Sequence, residues 1–298
     1  MKKLHVVIPT TTVRHLFAEH AQANIMSGNI VIPTGNKEGA YRFPDGEVYL
    51  RVPGLKHAEK IIVVHSGYPD PNGGLIELYM LLDIIEQYNP RAQINVVFTC
   101  IPYARQDKAY YEGELNAAQT LINTLTGRYG VSRVTTIDAH FAHERWTKKL
   151  PITNVSAVGH LKDTAAAEHP GIIFMAPDAG STRRTHIKGA TKQRLNSYNV
   201  TVDIGNSLSA SMNGQTIGVV DDILATGTTL ERFYQEAKRN GAKKVFALIT
   251  HGCNPAGIER IKALYDGLYL TNSINRPEAN VQLDKMLWAL IIRTLSAQ

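Results

Sequence analysis

Short apolar runs rich in Val, Ile and Thr recur along this chain, and stretches with helical spacing of apolar residues lie between them. That alternation limits the fold more than any other feature. Strands joined through helices pair in parallel, and a parallel sheet needs helices over its faces. Strands are expected at 5–9, 47–52, 60–66, 93–99 and 133–138 in the first half. In the second half they are expected at 171–175, 216–220 and 244–250. Helical spacing marks 74–87, 116–126, 230–240 and 256–265, with Gly241 as a stop for the third of these. The plan is therefore α/β, with mainly parallel sheets flanked by helices.

At 298 residues the chain is long enough for two domains, and a boundary near Pro151 gives 1–150 and 151–298. A hydrophobic fraction of 44% with 19% charged residues excludes a disordered chain. The formal net charge is +6, with Lys and Arg spread over the whole length. Such a balance suits anionic small molecules; without a basic block interleaved with aromatics, nucleic acid is not expected. Cys100 and Cys253 alone provide neither a disulfide framework nor metal-ligand spacing. The apolar runs are too short to cross a bilayer, and a cytoplasmic location is expected. An amphipathic tail at 282–296 reads as a packing helix.

Ligands of open α/β sheets gather at the carboxyl ends of the strands, and several polar clusters fall there. Most telling is the apolar strand that delivers Asp221 and Asp222, followed by Ala225, Thr226, Gly227, Thr228 and Thr229 at the start of a helix. Backbone N–H groups at such a start converge on one point where the helix dipole favours an anion. The two carboxylates can accept hydrogen bonds from the vicinal hydroxyls of a sugar, so the stretch reads as a binder of phosphorylated ribose. A merely capped helix after a buried strand would use the same residue types. Asp138-Ala139-His140 and Pro177-Asp178-Ala179-Gly180 follow strands in the same way.

Phe43-Pro44-Asp45-Gly46-Glu47, Tyr103-Ala104-Arg105-Gln106-Asp107-Lys108, Asp138-Ala139-His140, Pro177-Asp178-Ala179-Gly180 and the 221–229 loop occur in this order. As a set they resemble the ribose-phosphate diphosphokinase, or PRPP synthetase, family, of which the chain looks like a divergent member. The resemblance runs from about residue 43 to 251. It implies two domains, each similar to the type I phosphoribosyltransferase fold, with ATP near their junction. It also implies an enzyme that moves the β,γ-diphosphoryl group of Mg-ATP onto the anomeric hydroxyl of ribose 5-phosphate and releases AMP.

By this resemblance Phe43, Asp45 and Glu47 bind the adenine of ATP from a neighbouring subunit, and Arg105 and Gln106 contact its phosphates and base. A homo-oligomer, a dimer or a multiple of dimers, follows. His140 and Asp178 are implied as Mg2+ ligands. Lys192 and Arg194 are implied as the cations of a loop that closes over the transferring group. Asp221 and Asp222 would hold the ribose hydroxyls, and residues Ala225, Thr226, Gly227, Thr228 and Thr229 its 5-phosphate.

The chain departs from the family in three places. Ala225 and Thr228 stand where the family has a carboxylate and a glycine. Lys192 follows Asp178 by only 14 positions, and no basic stretch follows Lys108. These departures surround the sugar-phosphate loop, so the expected acceptor is ribose 5-phosphate or a ribose extended at its 5-phosphate, such as ADP-ribose. Two other readings stay open: a phosphoribosyltransferase that consumes PRPP, and a non-catalytic regulatory subunit of a PRPP synthetase.

Overall fold

The computed structural model describes residues 4–17, 28–189, 191–194, 200–203 and 211–296. For 28–29, 191–194 and 200–203 the backbone alone is described. Contacts divide the chain into two units, 1–155 with 284–298, and 156–283.

The first unit is built on a six-stranded parallel sheet. Its strands are β1 (His5–Pro9), β2 (Gly28–Ile30), β3 (Lys60–Ser66), β4 (Gln93–Cys100), β5 (Arg133–Ile137) and β6 (Ile152–Val155), in the order β2-β1-β3-β4-β5-β6. Every residue of β3 is buried, as is all of β4 after Gln93. Such runs are what a sheet covered on both faces demands. Helices α1 (Pro71–Tyr88) and α2 (Ala117–Asn123) cover one face, where Ile61, Val63, Val96 and Phe98 meet Leu78, Leu81 and Ile85 of α1. Asp70 starts α1 by accepting the Gly73 N–H at 3.0 Å, with Pro71 at the first helical position.

The opposite face requires a cover of its own, and the end of the chain provides it. Helix α7 (Asp284–Ser296) sets Leu287, Leu290, Ile291 and Leu295 against Val7, Ile62, Val64 and Val97. Each such side chain stabilises by about 1.5–3 kcal/mol when fully buried. Residues 284–298, expected in the second domain, thus belong to the first unit. A parallel sheet with a bare apolar face would be the alternative.

The strand expected at 47–52 is not formed. Single bridges at Arg42–Val48 and Thr34–Arg51 hold Phe43 to Val52 as a folded loop. Gly46 and Gly54, at φ +93° and +80°, turn the chain just before and just after 47–52.

In the second unit, β7 (Ile173–Met175), β10 (Thr216–Leu224), β11 (Lys244–Gly252) and β12 (Gly267–Leu270) form a parallel sheet in the order β12-β11-β10-β7. Strands β8 (Thr191–Arg194) and β9 (Val200–Asp203) pair as an antiparallel ribbon. The helices are α3 (Val158–Glu168), α4 (Ala179–Thr185), α5 (Thr228–Arg239) and α6 (Pro255–Leu264). Leu230, Phe233 and Ala237 form the inner stripe of α5. That helix ends at Asn240, after which Gly241 takes φ +81°, as its expected role as a stop requires.

Candidate active site

Strand β10 runs further than the sequence suggests. Asp221 and Asp222 lie within it, Asp221 opposite Ile249 of β11, and the turn begins only after Leu224. The turn itself is short. Gly227 caps α5 with φ +78°, and a Cβ there would stand 3.2 Å from the Ile261 side chain. Thr226 and Thr228 are exposed, with their hydroxyl oxygens 3.3 Å apart. Ala225 and Thr229 are half-buried. The first N–H groups of any helix have no partner within it, so this start presents donors and positive dipole to the space beyond the loop.

Helix α6 fixes the position of the turn. The Cys253 N–H donates to the Leu224 carbonyl at 3.0 Å, and Asn254 caps α6 by accepting from Ala256. Gly257, in the first turn of α6, lies against the loop so closely that a Cβ would fall 1.8 Å from the Ala225 oxygen. Its importance has no counterpart in the sequence reading.

Asp221 and Asp222 are buried, and neither points unengaged into solvent. Arg184, from α4, donates from Nε to Asp222 Oδ1 at 2.8 Å; its Nη2 is 3.4 Å from Asp221 Oδ1. Ser181 Oγ donates to Asp221 Oδ1 at 2.6 Å and accepts from Arg184 Nη2 at 3.0 Å. Asp178 caps α4, its Oδ1 accepting the Ser181 N–H at 2.9 Å, with the Ser181 hydroxyl at 3.2 Å. Ser181 therefore joins the carboxylate expected at the metal to the pair expected at the sugar.

One guanidinium serves three acids. Burial opposes the Arg184 charge, but Asp222, Asp221 and Asp178 outweigh it and raise its pKa. Burial, followed by the neighbouring Asp222 charge, pushes the Asp221 carboxyl well above the ordinary carboxylate range, against the pull of Arg184 and Ser181. Sequence reasoning missed both Arg184 and Ser181. The available signal was an Arg six positions after Asp178, one and a half turns along a helix capped by it.

Lys192 and Arg194 lie on β8, paired with Val202 and Val200 of β9; their side chains lie outside the described residues.

The remaining predicted residues sit on loops of the first unit. Phe43 is 40% exposed and meets Tyr49 edge-on at 5.8 Å. Asp45 Oδ1 accepts the Glu47 N–H at 3.1 Å, and both acids are exposed. Arg105 and Gln106 are exposed after β4. The turn holding them is fixed by Gln106 N–H to the Tyr103 carbonyl and by Ala118 N–H to the Gln106 carbonyl. His140 is half-buried after β5, and Asp138 two residues before it takes φ +38°. The Asp138 N–H donates to Val155 and the Ala139 N–H to Asn154 Oδ1, which anchors the turn to β6.

His140 belongs to the first unit and Asp178 to the second. Among the described residues no group of three or more His, Cys, Asp and Glu could hold a metal. Mg2+ binds few protein ligands and keeps water and phosphate oxygens, so an imidazole and a carboxylate fit it, whereas they would not make a Zn2+ site.

A strand carrying paired acids shortly before a turn into an exposed helix start, on a parallel α/β sheet, is an arrangement suited to a phosphorylated sugar. Residues 16–128 match the N-terminal domain of ribose phosphate pyrophosphokinase. The ribose-phosphate pyrophosphokinase of Pyrococcus furiosus is 30% identical over 258 residues, covering 81% of this chain and 88% of the relative. That of Bacillus caldolyticus is 30% identical over 271 residues, covering 86% and 83%. In fold, the chain is similar to the crystal structure of phosphoribosylpyrophosphate synthetase from Mycobacterium smegmatis, with a TM-score of 0.78, 20% identity, and 98% and 99% of the two chains covered. The chain belongs to the ribose-phosphate pyrophosphokinase family.

Proposed function

We propose that this protein transfers the β,γ-diphosphoryl group of ATP to the anomeric hydroxyl of a ribose 5-phosphate acceptor. The anomeric oxygen bonds to the β-phosphorus, the bond from that phosphorus to the α-phosphate oxygen breaks, and AMP leaves. The observation that supports this reading best is the β10–α5 turn, where two buried acids precede exposed Thr226 and Thr228 at a helix start.

In this reading the loop from Ala225 to Thr229 holds the 5-phosphate through backbone N–H groups and the two threonine hydroxyls. Asp221 and Asp222 accept the sugar diol, and Arg184 holds their Oδ1 atoms so that their orientation is fixed before the sugar arrives. Phe43, Asp45 and Glu47 take the adenine, working across a subunit interface of a homo-oligomer. Arg105 and Gln106 contact the nucleotide. Mg2+, held by His140 and Asp178, would offset charge on the phosphate oxygens. Lys192 and Arg194 stabilise the charge that spreads over the moving phosphoryl oxygens. Positioning and electrostatics carry most of such a transfer, so no covalent nucleophile is needed.

The acceptor is ribose 5-phosphate or a ribose extended beyond its 5-phosphate, such as ADP-ribose. The uncharged Ala225 beside the loop favours the larger molecule as a second reading, since a diphosphate meets no carboxylate there.

Mass spectrometry of the products from Mg-ATP and a panel of 5-phosphorylated riboses tests this function. AMP and a diphosphorylated sugar, formed without any nucleobase, are expected. No AMP with any acceptor would overturn the reading in favour of a non-catalytic subunit. Turnover that starts from PRPP and needs a nucleobase would overturn it in favour of a phosphoribosyltransferase. If ribose 5-phosphate turns over far better than ADP-ribose, the larger acceptor fails. Lys192→Ala and Arg194→Ala are each expected to lower kcat by about 10²–10⁴, the range for cations aimed at a transferring phosphoryl group. Undiminished AMP release in both would remove them from the mechanism.

A further inference from the structure

The face of the first sheet that α7 covers changes character along its length. Strand pairing puts Val97 beside Thr135, Thr135 beside Thr153, and Asn95 beside Arg133. Towards the carboxyl ends this face is apolar, with Val64, Val97 and Val155 under α7. From the level of Val97 and Thr135 towards the amino ends, away from the clusters of the candidate active site, it turns polar. Asn95 and Thr135 stand where Val or Ile would complete the core. They are 4% and 2% exposed, yet neither side chain has a hydrogen-bond partner among the described residues. Their amide and hydroxyl are thus available to a ligand in the space they border.

Both side chains open into a cavity of about 200 Å³ that is also lined by Lys60, Arg133, Arg293 and Thr153. No carboxylate lines it among the described residues. Lys60 is buried, and its Nζ donates to the Thr294 and Leu295 carbonyls at 3.3 and 3.2 Å. That contact neutralises the negative end of α7. It leaves Arg133 and Arg293, which make no ion pair among the described residues, facing the cavity from the sheet and the helix respectively. A cap for the helix end would need one cation, not three. The volume is below the roughly 300–1,000 Å³ of pockets for whole organic ligands, which points to a small ion.

We propose that this cavity is a binding site for a phosphate-sized oxyanion, held between Arg133 and Arg293 with Asn95 and Thr135 donating to it. The anion ties the last turn of α7 to β4 and β5, so its binding and the docking of α7 strengthen each other. This inference is independent of the proposed reaction.

Equilibrium binding of inorganic phosphate to the full chain tests it, at fixed ionic strength and without nucleotide, together with hydrogen exchange of α7. Wild type, Arg133→Gln/Arg293→Gln, Asn95→Leu and the loop variant Thr226→Val/Thr228→Val are compared. The double arginine variant is expected to lose at least tenfold in affinity at one class of sites, and Asn95→Leu severalfold. The loop variant retains that class. Phosphate is expected to slow exchange in α7 of wild type and not of the arginine variant. An unchanged isotherm in the arginine variant overturns the proposal, as does loss of all phosphate binding in the loop variant alone. Asn95→Leu also separates ligand from packing: a variant that gains thermal stability with full phosphate affinity shows that the polar floor is not a binding element.

Discussion

Arg184 ties Ser181, Asp221 and Asp222 of the second unit together. Its side chain is 12% exposed and lies beside those of Asp221 and Asp222, which are 10% and 3% exposed. Removing one partner of such a buried set leaves uncompensated charge, so Arg184→Met is expected to cost about 3–5 kcal/mol, read by urea unfolding. Arg184→Lys restores charge but not the planar fork. It is expected to recover most of the stability while the acceptor KM stays raised and kcat changes less. Equal recovery of both would show that Arg184 stabilises the fold without orienting Asp221 and Asp222.

His65 makes a separate case in the first unit. It is fully buried, its Nδ1 lies 2.9 Å from the Thr10 hydroxyl, and Nε2 has no partner among the described residues. Burial lowers its pKa from 6.5 to about 3, so the folded protein keeps it neutral where the unfolded chain would take up a proton. The stability this provides is complete above pH 6.5 and is lost as the pH falls towards 3, by up to about 4–5 kcal/mol. Denaturant unfolding across that window is expected to show a slope that His65→Phe flattens. A variant with the wild-type slope would place the acid sensitivity elsewhere.

At the scale of elements, the contact between α6 and the β10–α5 turn sets the candidate phosphate loop. Gly257→Ala would drive a methyl group into the Ala225 carbonyl, so either helix or loop must shift. Overpacking of this kind costs about 1–3 kcal/mol. Because the loop has fewer restraints than the helix, the acceptor KM is expected to rise about tenfold or more while the ATP KM holds. Steady-state kinetics with each substrate varied in turn checks this; a parallel rise in both would place the shift elsewhere.

Elements were read from the sequence unevenly. Strands buried on both faces, such as β3 and β4, announce themselves through unbroken apolar runs, and α5 through its stripe and its glycine stop. The 47–52 segment has strand-like alternation but no neighbouring strand to pair with, which local composition cannot reveal. Similarly, Asp178, Asp221 and Asp222 stand out by residue type at strand ends. Arg184 does not, because its role arises only where α4 comes beside β10, about forty positions along the chain. Gly257 is silent for the same reason: its significance is the absence of an atom at a contact between distant elements.

On the scale of the whole molecule, charge and chain path matter most. The formal charge of +6 attracts polyanionic substrates over distances that salt curtails. Both substrate KM values are therefore expected to rise between about 0.05 and 0.5 M KCl, with a smaller change in kcat. Initial rates at several salt concentrations test this, and salt-insensitive KM values would confine the electrostatics to direct contacts.

The placement of α7 on the first sheet has a further outcome at birth of the protein. A ribosome releases residues in order, so β3 and β4 emerge early with one flank only partly covered, and the helix that completes its cover arrives only after the whole of 156–283 has been made. The second unit is in effect inserted into the first, and among the described residues the nascent sheet has only Val13, Leu16 and Phe17 over that flank until residues 284–296 follow.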